Sequence, residues 1–365
     1  MHNKIRTVGD AFDLMSKDSN NNFLLLRLIA ASLVVYGHSF ALGAACITCS
    51  DVFGKFFHYR YSGDIGLHIF FVISGFLVTA SFCNNSLSDF IKARALRIYP
   101  ALVICVVLLV VLGAMLTTLD QASYWTAKGT HSFLWKNASL RGSVRDLPGV
   151  FEGLKFGGAV NGSLWSLPVE LRLYIIIACF GLLGAFRTRF IATAVLFIVV
   201  VTACFYPELI FFFKTVPANL RVGAFFAAGA VIYVQRCAIP LHGAIVLALF
   251  IVAAFSKGTP VFEWLAGITL VYSVFFIAFA RKLCLPRWVS DYSYGIYLYA
   301  WPIQQLISLV SPRWGPYEMV AVALPLSWIC GALSWHIVER PVLRLKRVDI
   351  ADTLRLKLRG IASRI

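Results

Sequence analysis

A chain of 365 residues that is 59% hydrophobic and only 14% charged, with a mean hydropathy of +0.79, is not a soluble globule. Such domains carry roughly 45–50% apolar and about 25% charged residues. The net charge of +16 lies in short runs between apolar blocks, the arrangement that orients a membrane protein; it excludes nucleic acid as a partner and leaves the lipid bilayer as the surroundings.

Apolar runs of the roughly 17–25 residues that a span requires fall at about 23–43, 65–83, 98–117, 163–185, 190–207, 217–234, 241–256, 262–280, 290–309 and 317–337. They predict an all-α polytopic transmembrane helix bundle of about ten spans. The first run is read as an uncleaved span and not as a signal peptide: Asp10, Asp13 and Asp18 precede it, and Arg27 and His38 interrupt it. Twenty lysines and arginines lie in alternate segments counted from the N-terminus, against ten in the opposite set, so both termini are expected in the cytoplasm. The chain then divides into a cytoplasmic N-terminal segment (1–22), a transmembrane domain (23–342) and a basic cytoplasmic tail (343–365). An extracytoplasmic loop at about 118–162 is long enough to shape a site.

Ionisable groups inside spans mark functional sites by default. In "RLIAASLVVYGH" (27–38), Arg27 and His38 are eleven residues apart, which on a helix returns to the same face about 16–17 Å along the axis. Arg27 falls near the cytoplasmic side and His38 toward the outer side. Singly, they read equally well as a snorkelling anchor and a histidine bonded to a carbonyl; together they imply a pathway through the membrane. The pair Cys46 and Cys49 in the following loop lacks the further ligands of a metal site, and its disulfide state is left open. No metal is expected. Asp64 and His68, at i and i+4, share a face at the outer end of the second span, His68 as an acid/base group or a structural one.

"RALR" puts Arg94 and Arg97 one turn apart at the inner mouth of the third span. Two guanidiniums so placed suit a phosphate, or simply anchor the helix to the cytoplasmic side. "NGSLWSLPVELRLY" (161–174) enters the fourth span from outside. It places Trp165 at the boundary and Glu170 about two turns in, with Arg172 and Arg221 as the available intramembrane counter-charges.

Taken in order, R-x10-H in the first span, "FFVISGFLV", "RALRIYP", "SLWSLPVELRLY", "DYSYGIYLYAWPIQQ" (291–305) and "VERP" (338–341) resemble the acyltransferase-3 family of bacterial membrane O-acyltransferases, over about residues 20–342. The resemblance implies transfer of an acyl group, usually acetyl, from cytoplasmic acyl-CoA to a hydroxyl of a lipid-linked or extracytoplasmic carbohydrate, at the bacterial cytoplasmic (inner) membrane. By motif it assigns Arg27 and His38 to the family's essential pair, Arg94 and Arg97 to its R-x-x-R, and Glu170 to its fourth-span glutamate. Many members carry a histidine where Ala300 precedes "WP", so no role is placed there. A separate esterase-like domain, appended in some members, is expected to require a second protein here.

The spacing then has a chemical reading. Arg94 and Arg97 are expected to bind the phosphates of acyl-CoA, Arg27 to guide the pantetheine arm, and His38 to act as base, by direct transfer or through an acyl-histidine. Trp165, Asp64, His68, Arg172 and Arg221 are candidates for the acceptor side. On the residues alone, a transporter of an anionic solute or lipid-linked sugar remains the alternative. Which polysaccharide, which sugar position and which oligomeric state are not legible.

Overall fold

Long apolar runs with few β-breaking turns leave the backbone one way to satisfy itself in lipid, the helix. The structure, a computed structural model, describes residues 6–18, 21–44, 51–57, 60–205, 216–280, 283, 285–286 and 288–345. Cys46, Cys49 and residues 346–365 of the basic tail lie outside the described residues. In chain order the helices are α1 (Val8–Asp18), α2 (Phe23–Leu42), α3 (Val52–Phe57), α4 (Ser62–Asn84), α5 (Leu87–Leu116), α6 (Gln121–Thr126), α7 (Lys128–Ala138), α8 (Ser166–Leu182), α9 (Arg189–Phe205), α10 (Pro217–Val234), α11 (Gly243–Phe255), α12 (Phe262–Ala278), α13 (Ser293–Val310), α14 (Pro316–Ser334) and α15 (Arg340–Arg344). A two-residue pairing of Arg6–Thr7 with Pro240–Leu241 ties the N-terminus to the loop before α11.

Every predicted apolar run holds a helix, but among the described residues six are long and apolar enough to cross a membrane: α2, α4, α5, α8 with its preceding 3₁₀ turn, α10, and the continuous helix Pro316–Arg344. The other four are shorter or more polar. At 13 residues, α11 rises about 20 Å, short of a hydrocarbon core of about 30 Å.

α4 is the central element, packed most extensively against α10 and α2. Two glycines allow this approach: a Cβ at Gly75 would meet Phe226 O at 1.9 Å, and one at Gly229 would meet Val72 O at 2.0 Å. Small residues at such crossings let backbones touch, which is how helices gain packing energy in lipid. The N-terminal segment is part of this core. Phe12 of α1 meets Phe76 edge-on at 5.2 Å and also contacts Tyr233 and Phe279.

Two prolines reshape the bundle where the site forms. Pro302 inside α13 has no N–H, so the carbonyl of Leu298 one turn earlier loses its helical donor. Asn161 Nδ2 takes that place at 2.9 Å, with the Cys105 thiol at 3.7 Å as a weak second donor. This bond draws the end of the 118–162 loop into the bundle, and Asn161 is fully buried there. After α14, Pro341 cannot continue the α-helical ladder, and Trp335–Glu339 widen into a π-turn. The widened turn directs Glu339 inward, where it is 2% exposed.

Candidate active site

A cavity of about 120 Å³ lies between α2, α4, α5, α8 and α13. Its walls carry Arg27, Arg94, Arg97 and Glu170, together with the hydroxyls of Ser74, Ser166, Tyr174, Ser293, Tyr294 and Tyr297. The three arginines predicted on two spans therefore meet at one place, Arg27 from α2 and the other two from the N-terminal third of α5.

Charge balance explains how they coexist. Arg97 donates from one terminal nitrogen to Asp291 at 2.9 Å and from the other to Glu339 at 3.0 Å. Arg27 reaches the same Asp291 oxygen at 3.3 Å. Ser293 Oγ donates to Asp291 at 2.6 Å, and Ser334 Oγ to Glu339 at 3.0 Å, so each carboxylate is also held from its own helix. Buried charges persist only when paired and hydrogen-bonded in this way. Arg94 differs. Its guanidinium lies 5.7 Å over the Tyr174 ring, it forms no ion pair among the described residues, and its Nε is buried without a partner. Arg27 and Arg97 are thus engaged inside the bundle and do not snorkel outward.

Glu170 sits deeper than its sequence position implies. Its carboxylate accepts from Tyr174 and from Ser74 Oγ at 3.2 Å. Ser74 lies ten residues beyond Asp64 along α4, about 15 Å further from the start of that helix. The counter-charges expected for Glu170 are elsewhere. Arg172 is two residues on, pointing to another side of α8 and not lining the cavity, and Arg221 pairs with Asp64 at 3.5 Å. The reason is the loop drawn in by Asn161, which starts α8 well inside the bundle, level with the arginines.

His38 lies outside the cavity. Its ring packs edge-on against Trp301 of α13, centroids 4.8 Å apart. One turn before Trp301 on α13, the Tyr297 hydroxyl bonds with Ser166 Oγ at 2.7 Å and donates to Ser163 O at 2.8 Å, and both residues of this pair line the cavity. Asp64 and His68 do share a face, as expected, and it meets α10, which supplies Arg221 to the first and the Phe225 ring, stacked at 3.9 Å, to the second. Neither residue reaches the cavity. Trp165 is half-buried at the edge of the core beside the loop and does not line the cavity either.

Sequence reasoning left Asp291, Glu339, Tyr174, Ser74, Tyr297 and Trp301 without roles. Two signals were present. Three arginines inside spans demand carboxylates, and Asp291 and Glu339 border the last two apolar runs. Tyr174 stands at i+4 from Glu170, within reach on any helix.

A family model described as an acyltransferase domain matches residues 20–335. An O-acetyl transferase of Shigella phage Sf6 is 28% identical over 336 residues, which cover 89% of this chain and 96% of that protein. Nodulation protein 10 of Rhizobium leguminosarum bv. viciae is 28% identical over 379 residues, covering 93% and 97%. No solved structure matches the chain with significance.

Proposed function

The chain belongs to the acyltransferase-3 family, and from that premise we propose that it moves an acetyl group from cytoplasmic acyl-CoA to a hydroxyl of a lipid-linked or extracytoplasmic carbohydrate at the bacterial inner membrane. It is a membrane-embedded acyltransferase; the donor, acceptor and compartment are the proposal. The observation that carries it is the meeting of Arg27, Arg94 and Arg97 at one end of a hydroxyl-lined cavity, with His38 about 16–17 Å further along the helix that bears Arg27. A transporter's anion path is the weaker reading for a chain of this family.

In this reading Arg94, paired with no carboxylate among the described residues, takes a phosphate of the donor, helped by Arg27. Arg97, clamped between Asp291 and Glu339, holds the mouth in shape. A cavity of about 120 Å³ has room for a slender arm but not for a nucleotide, so the phosphates stay at the cytoplasmic end and the thioester travels. The acceptor hydroxyl gives its proton to the neutral His38 imidazole while its oxygen attacks the thioester carbonyl. The C–S bond breaks, the ester stays with the carbohydrate, and the leaving thiolate takes the proton from His38 and withdraws as the thiol, which returns the imidazole to its neutral form. Direct transfer of this kind needs one tetrahedral intermediate; an acyl-histidine would need two.

Proton NMR of surface polysaccharide from a deletion strain tests this. Intact protein restores base-labile O-acyl signals, and His38→Ala, at equal membrane level, does not. Equal restoration by both would remove His38 from the chemistry. No ester with either would end the transfer reading.

A further inference from the structure

The outer half of α13 carries polar groups that the steps above do not use. Gln304 and Gln305 are fully buried, and the orientation of each carboxamide follows from what its nitrogen meets. Gln304 Nε2 donates to Val35 O and to Ser39 Oγ, both at 2.7 Å. The first can only accept, and Ser39 gives its own proton to that same carbonyl. Gln305 Nε2 donates to Phe156 O at 3.1 Å and Ala159 O at 2.7 Å, again two acceptors. Flipping either amide would set oxygen against oxygen, so each Oε1 must be the atom that faces away from these partners.

Neither Oε1 has a hydrogen-bond partner among the described residues, nor has Ser308 Oγ one turn on, nor His38 Nδ1. The residues that bear these atoms lie where α13 meets α2 on one side and residues 156–159 on the other. His38 lies between Val35 and Ser39, the residues that Gln304 joins, and its ring touches Trp301. Trp301 in turn shares Ala159 O with Gln305, through its own Nε1 at 3.0 Å. Buried polar atoms left unbonded are costly and rare, and a cluster of them asks for a ligand. All four can accept a hydrogen bond, and none of the four belongs to a carboxylate or an ammonium group. The complementary ligand is neutral and rich in O–H donors.

We propose that Gln304 and Gln305, with Ser308 beside them, bind hydroxyls of the carbohydrate acceptor and set one of them against His38 Nδ1. This assignment rests on the transfer reading above. Residues 151–160 cover this site, and Phe156 meets Trp301 edge-on at 5.8 Å there.

The test uses full-length protein in permeabilised membranes, acetyl-CoA with a labelled acetyl group, and base-treated surface polysaccharide of the deletion strain as acceptor. Gln304→Met and Gln305→Met remove oxygen and nitrogen together. Gln304→Glu and Gln305→Glu, neutral in this apolar site, donate where the nitrogen did and keep the second oxygen as acceptor. Expected is a rise of about tenfold in the acceptor KM for each Met variant, an unchanged acetyl-CoA KM, and Glu variants within about threefold of the intact protein. If Met and Glu variants fail alike, or donor and acceptor KM move together, the glutamines only brace the helices and the assignment is wrong. It is equally wrong if the Met variants keep the intact acceptor KM. Absence of ester from the intact protein is a separate result: it overturns the transfer reading, and this assignment with it.

Discussion

Asp291 is the residue on which the inner site depends. It stands between Arg27 at 3.3 Å and Arg97 at 2.9 Å, two cations that repel once the carboxylate is gone. Removing one member of a buried ion cluster costs roughly 3 kcal/mol or more, because the remaining charges stay desolvated. Asp291→Asn is therefore expected to lower the unfolding midpoint of the detergent-extracted protein and to abolish O-acylation, whereas Asp291→Glu keeps much of both. An unchanged midpoint would show that water already screens the cluster. Arg27, His38, Arg94 and Arg97 were legible as residues because ionisable groups stand out against apolar runs. Asp291 and Glu339 were not, since a carboxylate at the edge of an apolar run is ordinary and these two lie 194 and 242 residues along the chain from Arg97.

Among the elements, the break in α13 sets the depth of everything on α8. Pro302 frees the Leu298 carbonyl, Asn161 fills it, and the chain that follows starts its helix inside the bundle. Asn161→Ala leaves that carbonyl with only the weak Cys105 thiol as donor, at a cost of about 1–3 kcal/mol. Pro302→Ala restores a backbone donor, so the double variant is expected to recover most of the stability lost in the single one. This non-additivity is read from thermal midpoints in a four-protein cycle. Additive losses would mean that Asn161 acts through something other than Leu298. The helices themselves were readable from hydropathy, one in each predicted run. The depth of Glu170 was not, because counting residues from a boundary assumes that the boundary lies at the membrane surface.

At the scale of the molecule, the excess of lysine and arginine beside alternate runs predicts that the loop bearing α6 and α7 lies on the outer face. In a cysteine-free background, Ser143→Cys, exposed in that loop, is expected to react with a membrane-impermeant maleimide in intact cells. Asn85→Cys, exposed between α4 and α5, is expected to react only after permeabilisation. The reverse pattern would invert the donor and acceptor sides of the mechanism. Composition by itself determined that this chain is a helical membrane protein, and an ordered series of short motifs determined its family. Both are properties of local sequence: apolar length, charge placement and residue spacing along single helices. Only the tertiary structure decided that three arginines from two helices line one cavity, two of them sharing the carboxylates of Asp291 and Glu339, that Glu170 joins them, and that His38 packs on Trp301 outside that cavity. Those facts depend on which helices cross and how deeply each begins. Such crossings are fixed by close packing at glycines and by the donors that replace the N–H groups a proline lacks, between residues far apart in the chain.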